Sequence, residues 1–163
     1  MIDSIFGQIE KDEFYFNGDF ILEFAGTAYP VKLLIEFDDE RITQKQYEAF
    51  QCFMKEWPVL QPKLIKALID YYNQEERFSW GPDDEEELAI WWPEIETKEA
   101  LLRAVTVESI VIPSEYLMEA KGGHTIYLLF SKAWGGEDLD DNGIGVAFLN
   151  EEIDEIAYKD IAF

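Results

Sequence analysis

Apolar and polar residues alternate along the first forty positions, which is the pattern of strands with one buried face. Two such runs, residues 13–16 and 20–24, flank Asn17-Gly18. Asn-Gly between β-prone runs is the strongest short signal for a hairpin turn, because both residues tolerate positive φ. With a further strand over residues 31–37, the pattern predicts a three-stranded β-meander within residues 1–40.

From position 43 the apolar spacing changes to steps of three and four residues, which indicates helices with one buried face. Thr43 and Gln46 fit a capping box, in which the two side chains satisfy early backbone amides. We predict a first helix that ends or kinks at Pro58 and a second that restarts after Pro62, where proline suits a first turn. Two consecutive helices therefore occupy residues 43–76.

Residues 78–98 interrupt this pattern with Gly81-Pro82, five consecutive acids and three tryptophans. Gly-Pro breaks regular structure and like charges repel one another into solvent, so we predict an acidic, Trp-rich loop or short helical insert. The tryptophans are interpreted either as a binding hot spot or as anchors that pin the loop to the core. The candidate partner-binding residues here are Trp80, Asp83, Asp84, Glu85, Glu86, Glu87, Trp91 and Trp92.

The remainder returns to β patterning after a short helix predicted over residues 97–103. Strands are predicted over residues 105–112, 125–130, 144–149 and 153–158, which makes residues 105–163 β-rich. Strands, helices and strands again predict a single α+β domain over residues 1–163, with antiparallel sheet and the two consecutive helices packed on one face.

Charge is the strongest compositional signal, because 13 Lys and Arg against 35 Asp and Glu give a formal net charge of −22. Residues 79–99 hold eight acids and one base, and residues 137–160 hold nine acids and one base. Nucleic acid and anionic lipid are disfavoured as direct partners by repulsion, whereas a basic protein is favoured. The alternative is that the acidity only keeps the protein dispersed.

Membrane insertion and export are not indicated by this sequence. No apolar run approaches the roughly 18 to 20 residues that cross a bilayer, and the N-terminal residues lack the features of an export signal. We therefore expect a cytoplasmic protein without a membrane partner.

One acidic turn resembles the front of a calcium-binding loop. Asp138, Asp140 and Asn142 stand at alternate positions before Gly143, but the twelfth position holds Leu149 where an EF-hand needs glutamate. The flanks also read as strands rather than helices. We therefore interpret residues 138–142 as an acidic turn without a bound ion. The alternative is a calcium site that is not an EF-hand. As a second acidic patch for a partner, the turn offers Glu137, Asp138, Asp140 and Asp141.

No catalytic constellation is visible. Cys52 is the single cysteine and His124 the single histidine, and neither has a sequence neighbour that suggests a nucleophile with its base. Gly143-Ile144-Gly145 lacks the third glycine and the βαβ setting of a dinucleotide site. We expect no enzyme activity and no cofactor apart from the open question of calcium.

The order of segments resembles an uncharacterised bacterial family of domains of unknown function. The resemblance is carried by the helix start at residues 42–46, the aromatic end of the second helix at residues 67–72, Trp134, and Gly-Ile-Gly-Val at residues 143–146. A family histidine before this glycine motif is replaced here by Asn142. Small acidic domains of this kind are similar to immunity proteins of bacterial polymorphic-toxin systems, and the similarity is an analogy.

The leading hypothesis is thus a non-catalytic immunity-type inhibitor, whose acidic patches occlude a basic toxin or nuclease domain. A calcium-dependent structural domain that uses residues 138–142 is one alternative. An acidic mimic of nucleic acid, with carboxylates spaced like phosphates, is another.

Overall fold

A computed structural model describes residues 1–135 and 143–163, and its strands form one eight-stranded sheet in sequence order. Neighbouring strands are antiparallel except β4 and β5, which pair in parallel. A parallel pair needs a long crossover connection, and the helical segment supplies it. The strands are β1 (Ile2–Asp3), β2 (Gly7–Lys11), β3 (Tyr15–Phe24), β4 (Thr27–Glu36), β5 (Val105–Ile112), β6 (Thr125–Lys132), β7 (Ile144–Leu149) and β8 (Glu152–Tyr158).

The helices confirm the α+β prediction and lie mainly between β4 and β5. None of those in the described ranges combines the length and apolarity that crossing a bilayer requires. They are α1 (Gln44–Tyr71), a π-helical turn (Tyr72–Glu76), α2 (Arg77–Trp80), α3 (Glu85–Trp91), α4 (Lys98–Ala104), α5 (Glu115–Lys121) and a C-terminal 3-10 turn (Lys159–Ala162).

The predicted hairpin turn at Asn17-Gly18 is wrong. Both residues lie within β3, where Asn17 pairs with Leu34 and Gly18 with Leu33. The two-residue alternation of buried and exposed positions continues through them, so both residues fit the strand. The chain turns instead at Ala25-Gly26, whose φ values of 53° and 89° suit a tight hairpin turn.

The predicted break between two helices is also wrong, because α1 continues through Pro58 and Pro62. A proline inside a helix costs about 3 kcal/mol through its lost amide and its clash with the preceding turn. Both prolines lie on the exposed side, where water can reach the freed carbonyl groups. The opposite side buries an unbroken apolar stripe, which holds the helix together across the prolines: Phe50, Phe53, Trp57, Leu60, Leu64 and Leu68.

The capping box that begins α1 is confirmed and also connects the helix to the sheet. The side chain of Gln46 accepts from the Thr43 amide and donates to the carbonyl oxygens of Glu36 at 2.6 Å and Pro113 at 2.9 Å. Glu36 ends β4 and Pro113 follows β5, so Gln46 joins the helix to both strands of the parallel pair. Its amide is fully buried, and the three hydrogen bonds satisfy it.

The core lies on both faces of the central strands. One face packs against α1, with the rings of Phe53 and Phe148 5.1 Å apart and those of Phe24 and Trp57 5.8 Å apart. A smaller cluster around Tyr127 occupies the other face, covered by α5 and the C-terminal turn. Strands buried on both faces read as continuous apolar runs, as β6 and β7 do.

The glycines of Gly143-Ile144-Gly145 have a packing role. A Cβ atom at Gly145 would lie 2.7 Å from the carbonyl oxygen of Tyr158 and 2.5 Å from the Ile161 side chain. One at Gly143 would lie 2.2 Å from the carbonyl oxygen of Phe130. The motif therefore permits the close approach of neighbouring backbone, which explains it without a nucleotide.

Candidate functional site

The acidic run at residues 83–87 begins a short helix. Asp84 is the N-cap of α3, and its side chain accepts from the Glu87 amide at 2.9 Å. Acids in a first turn are favoured by the partial positive charge of a helix N-terminus. All five carboxylates are exposed, and none forms an ion pair with another residue of the described ranges.

The three tryptophans of this segment separate into two groups. Trp80 is 63% exposed and Trp91 is 46% exposed, whereas Trp92 is 4% exposed. Trp92 belongs to the core, so it is an anchor of the segment and its predicted role as a partner contact is wrong. Two further apolar side chains of the segment are exposed, Phe78 at 85% and Ile90 at 67%.

The anchor of the segment is built from the Trp92 indole and the backbone around it. The indole stacks on Tyr72 with ring centroids 6.5 Å apart, and the Arg77 guanidinium donates to the Trp92 carbonyl oxygen at 2.9 Å. The amide of Gly135 donates to the carbonyl oxygen of Trp91 at 2.8 Å. The backbone of α3 is thus fixed while the Trp91 side chain stays at the surface.

A cleft of about 360 Å³ adjoins the exposed side of α3. Ile90 and Trp91 line one side, and Trp134 and Arg103 line another. Trp80 lies at a second cleft, which includes Tyr71 and Tyr158. The exposed aromatic side chains therefore border concave surface, which can receive side chains of a partner.

The second acidic patch and the calcium hypothesis both fall on residues 136–142, outside the described ranges. They concern Glu137, Asp138, Asp140, Asp141 and Asn142, and stay predictions.

The structure brings together three side chains that sequence reasoning treated separately. One ligand atom each from Cys52, His124 and Glu151 lies within 4.8 Å of the others, and all three side chains are half-buried. The Nδ1 atom of His124 is 2.9 Å from Oε1 of Glu151. Because the chain has one cysteine and one histidine, this is the one place where a thiol and an imidazole meet.

Backbone contacts hold this cluster in place. The β7–β8 turn at Asn150-Glu151 has φ values of 48° and 61°, and its Asn150 side chain accepts from the His124 amide at 3.0 Å. The Asn150 amide donates to the His124 carbonyl oxygen at 2.8 Å. A Cβ atom on Gly123 would lie 2.1 Å from Oδ1 of Asn150, so glycine there permits the approach.

The thiol in this cluster is not an activated nucleophile. Burial raises the pKa of Cys52, and the neighbouring carboxylates of Glu151 and Glu48 raise it further while Lys55 opposes them. Nucleophilic cysteines need the opposite shift. The set of sulfur, nitrogen and oxygen atoms is instead one that can hold a transition metal.

Sequence reasoning missed the cluster because its members are far apart in the chain. Cys52 is a half-buried residue of α1, His124 precedes β6, and Glu151 lies in the β7–β8 turn. A signal in the sequence is Gly122-Gly123 directly before His124 and β6, because glycines next to a strand mark a close approach of another backbone.

Fold and site together define a single-domain α+β protein with an acidic, aromatic surface segment and a separate thiol–imidazole–carboxylate cluster. The chain belongs to the family described as Domain of unknown function (DUF6985), whose model matches residues 5–163. A search of curated proteins and a search of solved structures each returned no significant match.

Proposed function

We propose that the protein is a non-catalytic acidic binding protein of the immunity type, which binds and occludes a basic bacterial toxin or nuclease domain. One observation carries the proposal: four large apolar side chains are exposed in the segment that holds five exposed acids. They are Phe78, Trp80, Ile90 and Trp91.

Exposed aromatic side chains supply the affinity in this proposal. Binding energy at interfaces is concentrated in a few residues, and tryptophan is enriched among them. The backbone that carries Trp80 and Trp91 is anchored at two points. The Arg77 side chain of α2 donates to the Trp92 carbonyl oxygen, and the Gly135 amide donates to the Trp91 carbonyl oxygen. A preorganised surface loses less entropy on binding than a loose loop does.

The acids supply the attraction and orientation of the partner. Asp84 has a structural role as the cap of α3, so the functional argument rests on Glu85, Glu86 and Glu87, which are exposed beside it. Complementary charge raises association rates and suppresses partners of the wrong sign. The net charge of −22 extends the same preference over the whole chain.

A nuclease or similar toxin domain fits this surface by its chemistry. Proteins that bind nucleic acid present Lys and Arg to the phosphates. An inhibitor that covers such a surface needs acids to meet those bases and apolar side chains to hold the contact. The assignment to the immunity class rests in addition on the similarity of small acidic domains to immunity proteins.

The experiment is capture of partners from a lysate of the source cell on the immobilised full chain at physiological salt. Two variants test the surface, Glu85→Gln/Glu86→Gln/Glu87→Gln and Trp80→Ala/Trp91→Ala. A matched control neutralises three exposed acids of the β8 region, Glu152→Gln/Asp154→Asn/Glu155→Gln.

The proposal expects one basic protein in a 1:1 complex, retained by the control and lost or strongly reduced in both test variants. Equal capture by all variants, or capture of salt-labile traces alone, would overturn it. Purified lysozyme, a basic protein without a cognate relationship, serves as the measure of unspecific charge binding. Circular dichroism of each variant establishes that α3 and the fold persist.

A further inference from the structure

We propose that Cys52, His124 and Glu151 form a binding site for a divalent transition metal of the Zn²⁺ type. The site is separate from the acidic, aromatic segment and does not depend on the proposed function. It uses the single thiol and the single imidazole of the chain.

The geometry is close to that of a metal site. Zinc binds sulfur at about 2.3 Å and nitrogen or carboxylate oxygen at about 2.0 to 2.2 Å, which places tetrahedral ligands about 3.3 to 3.7 Å apart. The three ligand atoms already lie within 4.8 Å of one another. Side-chain rotations therefore complete the site if they shorten the longest separations by at most about 1.5 Å and lengthen the 2.9 Å between His124 Nδ1 and Glu151 Oε1 by about 0.4 to 0.8 Å.

The donor set selects the class of metal. A thiolate and an imidazole favour Zn²⁺ and related transition metals over Ca²⁺ and Mg²⁺, which prefer oxygen ligands. Binding replaces the thiol proton of Cys52 by a metal–sulfur bond, and the proton goes to solvent. The thiolate and the Glu151 carboxylate then balance the two positive charges of the ion, while neutral His124 adds none.

The backbone presents the three ligands together before any ion binds. His124 and the Asn150-Glu151 turn are joined by two hydrogen bonds, one through the Asn150 side chain and one through its amide. On the helix, Phe53 packs on Phe148 of β7 at 5.1 Å and so places Cys52 over the same end of the sheet. Three protein ligands leave a fourth position open for water.

The test titrates Co²⁺, a spectroscopic substitute for Zn²⁺, into full-length protein that has been treated with chelator and kept reduced. A thiolate-to-cobalt charge-transfer band in the near ultraviolet is expected, with one Co²⁺ per chain and displacement by Zn²⁺. Because Cys52 is the single cysteine, this band assigns the sulfur ligand without any variant.

Variants then test the other ligands. Cys52→Ser should abolish the band. His124→Ala and Glu151→Gln should weaken Co²⁺ binding by roughly 10- to 100-fold or more, because loss of even an outer-shell partner weakens a metal site by that factor. Glu152→Gln, at the neighbouring position that begins β8 and with an exposed side chain, is the matched control and should bind as the wild type does.

Three outcomes would overturn the site. They are absence of the band in wild type at stoichiometric Co²⁺, unchanged affinity in Cys52→Ser, or one ion shared by two chains. Excess Mg²⁺ in every titration suppresses unspecific binding to surface carboxylates. Metal binding by the wild type with no partner captured, or the reverse, separates this inference from the proposed function.

Discussion

Trp91 and Trp92 are neighbours in the chain and lie on opposite sides of the boundary between solvent and core. Trp91 ends α3 and is 46% exposed, whereas Trp92 is 4% exposed and its indole stacks on Tyr72. Trp91 is thus available for contact at the surface, and Trp92 anchors the segment to the core. Because Trp92 is buried, the segment is ordered while its other aromatic side chains remain exposed.

The first prediction tests these two roles by thermodynamic stability. Trp92→Ala should lower the free energy of unfolding by about 3 to 5 kcal/mol, because it leaves a cavity under the segment. Trp91→Ala should change it by less than about 1 kcal/mol, as surface substitutions do. Urea denaturation of both variants measures the difference, and equal losses would contradict the assignment of Trp91 to the surface.

The second prediction concerns the buried amide that joins α1 to the parallel strand pair. Gln46→Ala removes three hydrogen bonds and leaves two carbonyl groups without their partner, so it should cost about 2 to 4 kcal/mol. Gln44→Ala, an exposed position in the same first turn, is the control and should cost less than about 0.5 kcal/mol. Denaturant unfolding compares them, and a Gln46→Ala loss as small as that of the control would refute this role.

The third prediction follows from the hydrogen bond between Tyr47 and Asp3. Burial raises the pKa of Asp3, but donation from the Tyr47 hydroxyl and from the Phe6 and Ile5 amides outweighs it, and the pKa ends below 3.8. A carboxyl group with a lowered folded-state pKa stabilises the protein above its unfolded pKa, and this stability is lost as the pH falls through the folded value. The Tyr47 pKa is raised to about 12, by burial first and then by Asp3, so the hydroxyl remains a donor throughout.

Tyr47→Phe should therefore cost about 1 to 2 kcal/mol at neutral pH and progressively less as the pH falls below about 4. Urea denaturation across this range measures the loss. Tyr116→Phe, at an exposed tyrosine, controls for the general effect of acid. A loss that stays constant from neutral to acidic pH would show that the Asp3 charge is not involved.

The fourth prediction tests the packing role of the β7 glycines. Gly145→Ala places a methyl group against the Tyr158 carbonyl oxygen and the Ile161 side chain, so overpacking should cost about 1 to 3 kcal/mol. Gly18→Ala meets its nearest neighbour at 3.1 Å, on a side chain, and should cost less. The reverse order in thermal or urea unfolding would remove the packing explanation.

Much of the fold could be predicted from local pattern. The strand predicted over residues 105–112 and that over 144–149 match β5 and β7, and the capping box at Thr43 begins α1. The errors come from residues that favour a turn or a helix break in a short peptide but are held in regular structure by tertiary packing. Asn17-Gly18 lies inside β3, which pairs with β2 on one side and β4 on the other. Pro58 lies on the exposed side of a helix whose other side is buried.

The sites were less predictable because they depend on tertiary contacts. The acidic, aromatic segment is visible in composition, but only burial separates Trp92 from Trp80 and Trp91. The Cys52–His124–Glu151 cluster combines a helix position, the residue before β6 and the β7–β8 turn, and no spacing rule connects them. Helix α5 is absent from the predicted elements, although its Ser114 cap and Gly122 end are ordinary helix signals.

In the proposed function, the acidic, aromatic segment of α2 and α3 recognises a basic partner by charge and aromatic contact. The most direct measurement is the association rate constant of the captured, purified partner across a range of salt concentrations, for wild type and the Glu85→Gln/Glu86→Gln/Glu87→Gln variant. We predict association at least about tenfold slower for the variant at low salt, with a shallower dependence on salt. Equal rates and equal salt dependence for the two proteins would contradict the claim.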